Sequence, residues 1–167
     1  MRSRQALGGF TLIEAMVSIA VMLVLVAIAV PSFKNASLGS QLRSSANDLV
    51  ASVLLARSEA IKRNAVVTMC MSADGEDCTT SGGWEQGWIV RLDDDTPLRV
   101  QGSLPSGLRV RAGAVTSLSF QPIGAGGAAA TFTVCRARPS VGGEERVVTL
   151  DATGRPWVRR TQNAACS

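Results

Sequence analysis

Residues 10–30 read FTLIEAMVSIAVMLVLVAIAV, from Phe10 to Val30, and between Arg4 and Lys34 the sole charged residue is Glu14. The run is 21 residues long. As a helix it measures about 31 Å, close to the hydrocarbon thickness of a bilayer. Membrane topology is therefore the first question. Arg2 and Arg4, the apolar stretch and the small-x-small triplet Ala27-Ile28-Ala29 fit a secretory signal peptide. A permanent membrane helix with a positive, cytoplasmic N-terminus fits by length as well. Neither reading accounts for Glu14, because a carboxylate costs on the order of 3 kcal/mol near a membrane centre and less near its edge.

Pro31 follows the run and is expected to kink the helix or mark its exit from the membrane. Beyond it, Leu38, Leu42, Ala46, Leu49, Val53, Ala56 and Ala60 recur at spacings of three and four, one apolar stripe of an amphipathic helix. Arg43, Arg57 and Glu59 fall off that stripe. The pattern gives one long helix over residues 10–63, apolar all round in its first half and one-sided in its second. Plain core packing against a sheet is the preferred reading of the stripe.

From Ala65 the pattern changes to short β-branched runs, with candidate strands at 66–71, 88–92, 98–101, 108–111, 118–121, 131–136, 146–150 and 156–159. Turn residues separate them, among them Ser81-Gly82-Gly83, Asp93-Asp94-Asp95, Pro105-Ser106-Gly107 and Gly124-Ala125-Gly126-Gly127. A helix followed by many strands gives an α+β fold with an antiparallel sheet.

The chain of 167 residues is 46% hydrophobic and 18% charged, enough for one cored domain and an appendage. It contains no His and no Tyr. That excludes His-based acid–base catalysis, Ser-His-Asp and Cys-His nucleophiles, and His-ligated metals. No enzyme activity and no cofactor are expected. Gly124–Gly127 lacks the Lys-Ser/Thr of a phosphate loop, and Asp93–Asp95 lacks EF-hand spacing and reads as a solvated turn. Cys70, Cys78, Cys135 and Cys166 have no C-x-x-C spacing. With the globular part outside the cytoplasm, two disulfides are expected. Three connectivities are open, and sequence order favours Cys70–Cys78 with Cys135–Cys166. The second would tie the tail to a strand, adding roughly 2–4 kcal/mol.

Gly8-Gly9-Phe10-Thr11-Leu12-Ile13-Glu14 resembles the prepilin-peptidase site of type IV pilins and type II secretion pseudopilins. The resemblance implies a leader ending at Gly9, a cut before Phe10, methylation of the new N-terminus, and Glu14 as the fifth mature residue. It also implies that Glu14 of one subunit meets the N-terminal amine of a neighbour, a pair whose loss strands a charge at roughly 3–5 kcal/mol. Residues 55–63 (LARSEAIKR), a strand, a Cys and then Trp84-x-x-Gly87-Trp88-Ile89-Val90 are similar to the FimT/GspH family of minor pilins and minor pseudopilins. The likeness covers residues 8–104 and weakens beyond.

Charge is segregated. Residues 74–95 carry a local −6 and residues 96–167 a local +6. Arg109 and Arg111 alternate along one strand and Arg136 and Arg138 along another, so each pair is expected on a single face. Gly154-Arg155-Pro156-Trp157-Val158-Arg159-Arg160 sets three guanidiniums around an aromatic, a composition suited to phosphate contacts and stacking. From spacing alone a solvated face with a core-capping Trp is preferred. Some FimT-like minor pilins bind DNA through Gly-Arg-x-Arg near the C-terminus. Here Gly154-Arg155 matches, but Trp157 stands at the second Arg position.

Together these readings give a pilin-like α+β protein: a leader 1–9, a transmembrane and filament-core helix 10–30, an amphipathic half-helix 31–63 and a β-rich head 64–167. The expected partners are a prepilin peptidase, the inner membrane, other major and minor pilins, and double-stranded DNA bound by Arg155, Trp157, Arg159, Arg160, Arg136 and Arg138. The head would be periplasmic and the N-terminus cytoplasmic. A minor pseudopilin of a type II secretion system is the alternative. The reading from another class is a secreted enzyme that loses residues 1–29 as an ordinary signal and begins at Val30.

Overall fold

The computed structural model describes residues 10–126, 128–137, 144–163 and 166. The expected leader with Arg2, Arg4 and Gly9 lies outside the described residues, as does Arg138. The element order is helix α1 (Leu12–Arg63), β1 (Val67–Met71), a 3-10 turn at Trp84–Gln86, β2 (Trp88–Leu92), β3 (Pro97–Gln101), β4 (Leu108–Arg111), β5 (Ser117–Phe120), β6 (Ala130–Arg136), β7 (Glu145–Leu150) and β8 (Pro156–Thr161). All eight strand runs are present at the expected places, and the last extends to Thr161. Pro31 lies inside α1, which loses one backbone donor there and continues.

Two compact units divide the chain, Met1–Ser37 and Leu38–Ser167. In the first, every described residue is exposed, with Phe10, Leu12 and Ile28 at 80%, 79% and 70%. An apolar surface of that extent is not stable in water and needs lipid or other apolar helices around it. By length and composition α1 can cross a membrane.

In the second unit the α1 stripe is the core. Leu42, Ala46, Leu49, Val53, Ala56 and Ala60 are at most 1% exposed, whereas Leu38 is half-buried. They share one cluster with strand residues such as Met69, Trp88, Val90, Phe120, Phe132, Val134 and Val148. The strands form two antiparallel sheets rather than one, ordered β3-β2-β1-β5 and β4-β6-β7-β8. Trp84 packs edge-on against Phe132 with centroids 5.1 Å apart, and its indole donates to the Val115 carbonyl at 2.7 Å. The buried Trp88 indole donates to Ser52 Oγ at 2.9 Å, which donates in turn to the Asp48 carbonyl at 2.8 Å. Both large aromatics thus bury their rings with no orphaned polar end.

Candidate functional site

At the start of α1, the Thr11 amide and hydroxyl donate to Glu14 Oε2 at 3.4 and 3.3 Å, and the Glu14 amide donates to Thr11 Oγ1 at 3.3 Å. This Thr-x-x-Glu exchange is a capping box, which satisfies amides that the first turn leaves without partners. Glu14 therefore has a local role in addition to the one its resemblance implies.

The cysteines pair as sequence order favours. Cys70 joins Cys78 with Cα atoms 5.5 Å apart, and Cys135 joins Cys166 at 5.8 Å. Among the described residues no cluster could hold a metal ion. Asp93–Asp95 forms a turn, in which Asp94 accepts the Thr96 amide at 3.0 Å and Asp95 pairs with Arg91 at 2.7 Å.

The β4-β6-β7-β8 sheet sorts the basic residues by strand alternation. Its inner face carries Leu108, Val110, Phe132, Val134, Val148 and Leu150, all in the core. Pairing aligns Arg111 with Thr133, Thr133 with Val147 and Val147 with Arg159, in one row across the outer face. Trp157 lies two residues from Arg159 on that face, 48% exposed, with the Arg159 guanidinium 5.8 Å from its ring centroid. Trp157 does not cap the core.

Arg155 is exposed in the β7–β8 turn. Asp151 Oδ1 builds that turn, accepting the Thr153 hydroxyl and amide at 2.6 and 2.9 Å and the Arg155 amide at 3.0 Å. The Thr153 hydroxyl and then these amides hold the Asp151 carboxyl below its ordinary pKa. Gly154 has φ 75°, and a Cβ there would meet the Gly124 carbonyl oxygen and Gly126 nitrogen at 3.1 Å. A glycine is required at this contact, both for its backbone angle and for space.

Not all the candidate arginines meet. Arg160, one residue from Arg159, points to the opposite face and pairs with Glu144 at 2.9 Å, which also holds Arg146 at 3.3 Å. Arg136 points to the core side of its strand and donates to Gln41 at 3.4 Å. The exposed cationic edge at β8 thus consists of Arg155, Trp157 and Arg159. At the other edge of the sheet, Arg109 pairs with Glu85 at 3.5 Å, while Arg111 has no ion pair or side-chain hydrogen bond among the described residues.

Comparison with solved structures gives the fold. The type IV minor pilin FimU of Pseudomonas aeruginosa matches with a TM-score of 0.60 and 23% identity, over 77% of this chain and 98% of that one. A second crystal form of FimU matches at 0.57, 23% identity, 74% and 99%. The minor pseudopilin EpsH of the Vibrio cholerae type 2 secretion system matches at 0.51, 15% identity, 73% and 97%. No curated protein matches by sequence. The family model of the type II transport protein GspH matches residues 45–154, a span running from the α1 stripe through β7 to Gly154. The chain belongs to the GspH family of minor pilins and minor pseudopilins.

Proposed function

We propose that this protein is a minor filament subunit, made with residues 1–9 as a leader and cut between Gly9 and Phe10 by a prepilin peptidase. Residues 10–30 then hold it in the inner membrane, N-terminus in the cytoplasm and head in the periplasm. From there it joins other major and minor pilins through the same helix, with 31–63 and 64–167 forming the amphipathic half-helix and the head. The observation that carries this reading is an apolar half-helix, exposed throughout, bearing one carboxylate in its first turn, the fifth residue after the expected cut.

The more specific reading adds weak capture of double-stranded DNA, without sequence preference, by Arg155, Trp157 and Arg159 during natural transformation. An exposed ring with the Arg159 guanidinium beside it and an exposed Arg155 in the adjoining turn support it, because this composition pairs phosphate contacts with stacking. Gel shift of a DNA duplex by the full chain in detergent micelles tests it. Each guanidinium on a phosphate contributes about one unit to the slope of log affinity against log salt. Arg155→Ala and Arg159→Ala should each weaken binding and flatten that slope. Affinity untouched by both substitutions or by salt contradicts the DNA reading and leaves the filament reading standing. The match to the type II transport family favours a second reading, a pseudopilin that primes a secretion filament, and absence of any duplex binding would support it.

A further inference from the structure

Arg57 belongs to the LARSEAIKR stretch and falls off the apolar stripe of α1, yet it is half-buried. Its Nε donates to the Gly124 carbonyl at 2.9 Å, a bond that spans 67 residues of chain. Ile61, one turn farther along the helix, covers the same glycine. A Cβ on Gly124, whose φ is 77°, would stand 2.7 Å from Ile61 Cδ1 and 3.4 Å from Arg57 Nε. Two side chains one helical turn apart thus hold the β5–β6 loop at Gly124.

The loop is closed on itself. The Gly124 amide donates to the Gln121 carbonyl at 2.7 Å, the Gln121 amide to the Ala125 carbonyl at 3.0 Å, and Gly126 bridges to Phe120. The Gly124 oxygen that accepts the Arg57 bond is also the atom against which Gly154 rests. It lies 3.1 Å from where a Cβ on Gly154 would stand, with the Phe120 ring at 3.2 Å. Gly154 precedes Arg155, whose amide donates to Asp151 Oδ1 at 3.0 Å and whose carbonyl accepts the Asp151 amide at 3.3 Å. A carbonyl bound by a charged donor is held more tightly than one bound by a neutral donor, so the seat of the β7–β8 turn is fixed from α1.

We infer that Arg57 is a positioning residue: through the Gly124 carbonyl it holds the β7–β8 turn, and so sets where Arg155 stands beside Trp157 and Arg159. It acts through that turn and is not itself a phosphate contact. The clamp stands on the contacts above, while its effect on duplex binding rests on the DNA reading.

The test uses the full chain in detergent micelles. Hydrogen exchange reads the Gly154 and Arg155 amides, with Met69 and Val90 of the β1–β2 pair as the reference for the whole fold. Arg57→Ala should speed exchange at Gly154 and Arg155 about tenfold, the worth of one hydrogen bond from a charged donor, and leave Met69 and Val90 unchanged. Arg57→Gln sets an amide nitrogen as many bonds from Cα as Nε. It keeps the donor, removes the charge and should restore the parent exchange. In duplex gel shifts, Arg57→Ala should weaken binding severalfold in the parent and add nothing in an Arg155→Ala chain, while Arg57→Gln should bind as the parent does. Unchanged exchange at Gly154 and Arg155, equal acceleration at Met69 and Val90, or a Gln variant that behaves as Ala overturns the inference. Additive loss of duplex binding also overturns it, making Arg57 a phosphate contact in its own right. A parent that binds no duplex refutes the DNA reading, and amide exchange alone then decides the clamp.

Discussion

Thr11 and Glu14 cap each other at the start of α1, each accepting a hydrogen bond from the other's amide. The acid that the resemblance to a prepilin-peptidase site singles out is therefore engaged within its own chain, in a position where Gln caps as well as Glu. This separates helix capping from charge.

Glu14→Gln retains the cap and removes the charge, while Glu14→Ala removes both. Both variants should be cut normally at Gly9 and both should fail to enter filaments, because a neighbour's amine would be left without its counter-charge. Immunoblots of sheared filaments and of membranes check this. Incorporation of the Gln variant at the normal level would show that the cap, and not the charge, matters.

Gly154→Ala forces a left-handed backbone angle on a residue with a Cβ and presses that atom into the Gly124–Gly126 backbone. The expected loss is about 1–3 kcal/mol, read by denaturant unfolding. Gly102→Ala, with open space around its Cβ position, should change stability little.

Ser52→Ala leaves the Trp88 indole N–H buried without an acceptor. Unfolding should cost about 1–3 kcal/mol less in the variant. Ser58→Ala, whose hydroxyl bonds the Leu55 carbonyl on the exposed side, should stay within about 0.5 kcal/mol of the parent.

Asp74 organises the loop closed by Cys70–Cys78. Its Oδ1 accepts the Glu76 and Asp77 amides at 2.9 and 3.1 Å and the Ser72 hydroxyl at 3.0 Å. These bonds, the Glu76 amide foremost, lower its pKa to about 2. Because the folded value lies below the unfolded one, near 4, the stabilisation is complete above about pH 4 and is lost as pH falls through about 2. Hydrogen exchange of residues 75–77 should accelerate across that window relative to the intrinsic rate, and Asp74→Asn should remove the pH dependence.

The helix and all eight strands were legible because each carries its own periodicity, the α1 stripe at three and four and the β-branched runs between glycines. The 3-10 turn at Trp84–Gln86 was not, since three residues have no period. Nor was the division into two sheets: burial alternates along β4 in the same way whichever neighbours the strand has. For the basic residues, alternation itself was an available signal, because Arg159 and Arg160 are adjacent on a strand and cannot share a face. The Glu144 pairing of Arg160 and the Gln41 contact of Arg136 follow from topology and leave no mark in local sequence. The pairing of Arg109 with Glu85, 24 residues earlier in the chain, likewise leaves no mark in local sequence.

The filament account rests on what proteolysis leaves at the front of the apolar helix. N-terminal sequencing with intact-mass measurement of the protein recovered from membranes tests it most directly. A mature chain that begins at Phe10 and carries an added methyl group is the predicted result; a chain that begins at Met1, at Val30 or at any other residue contradicts it.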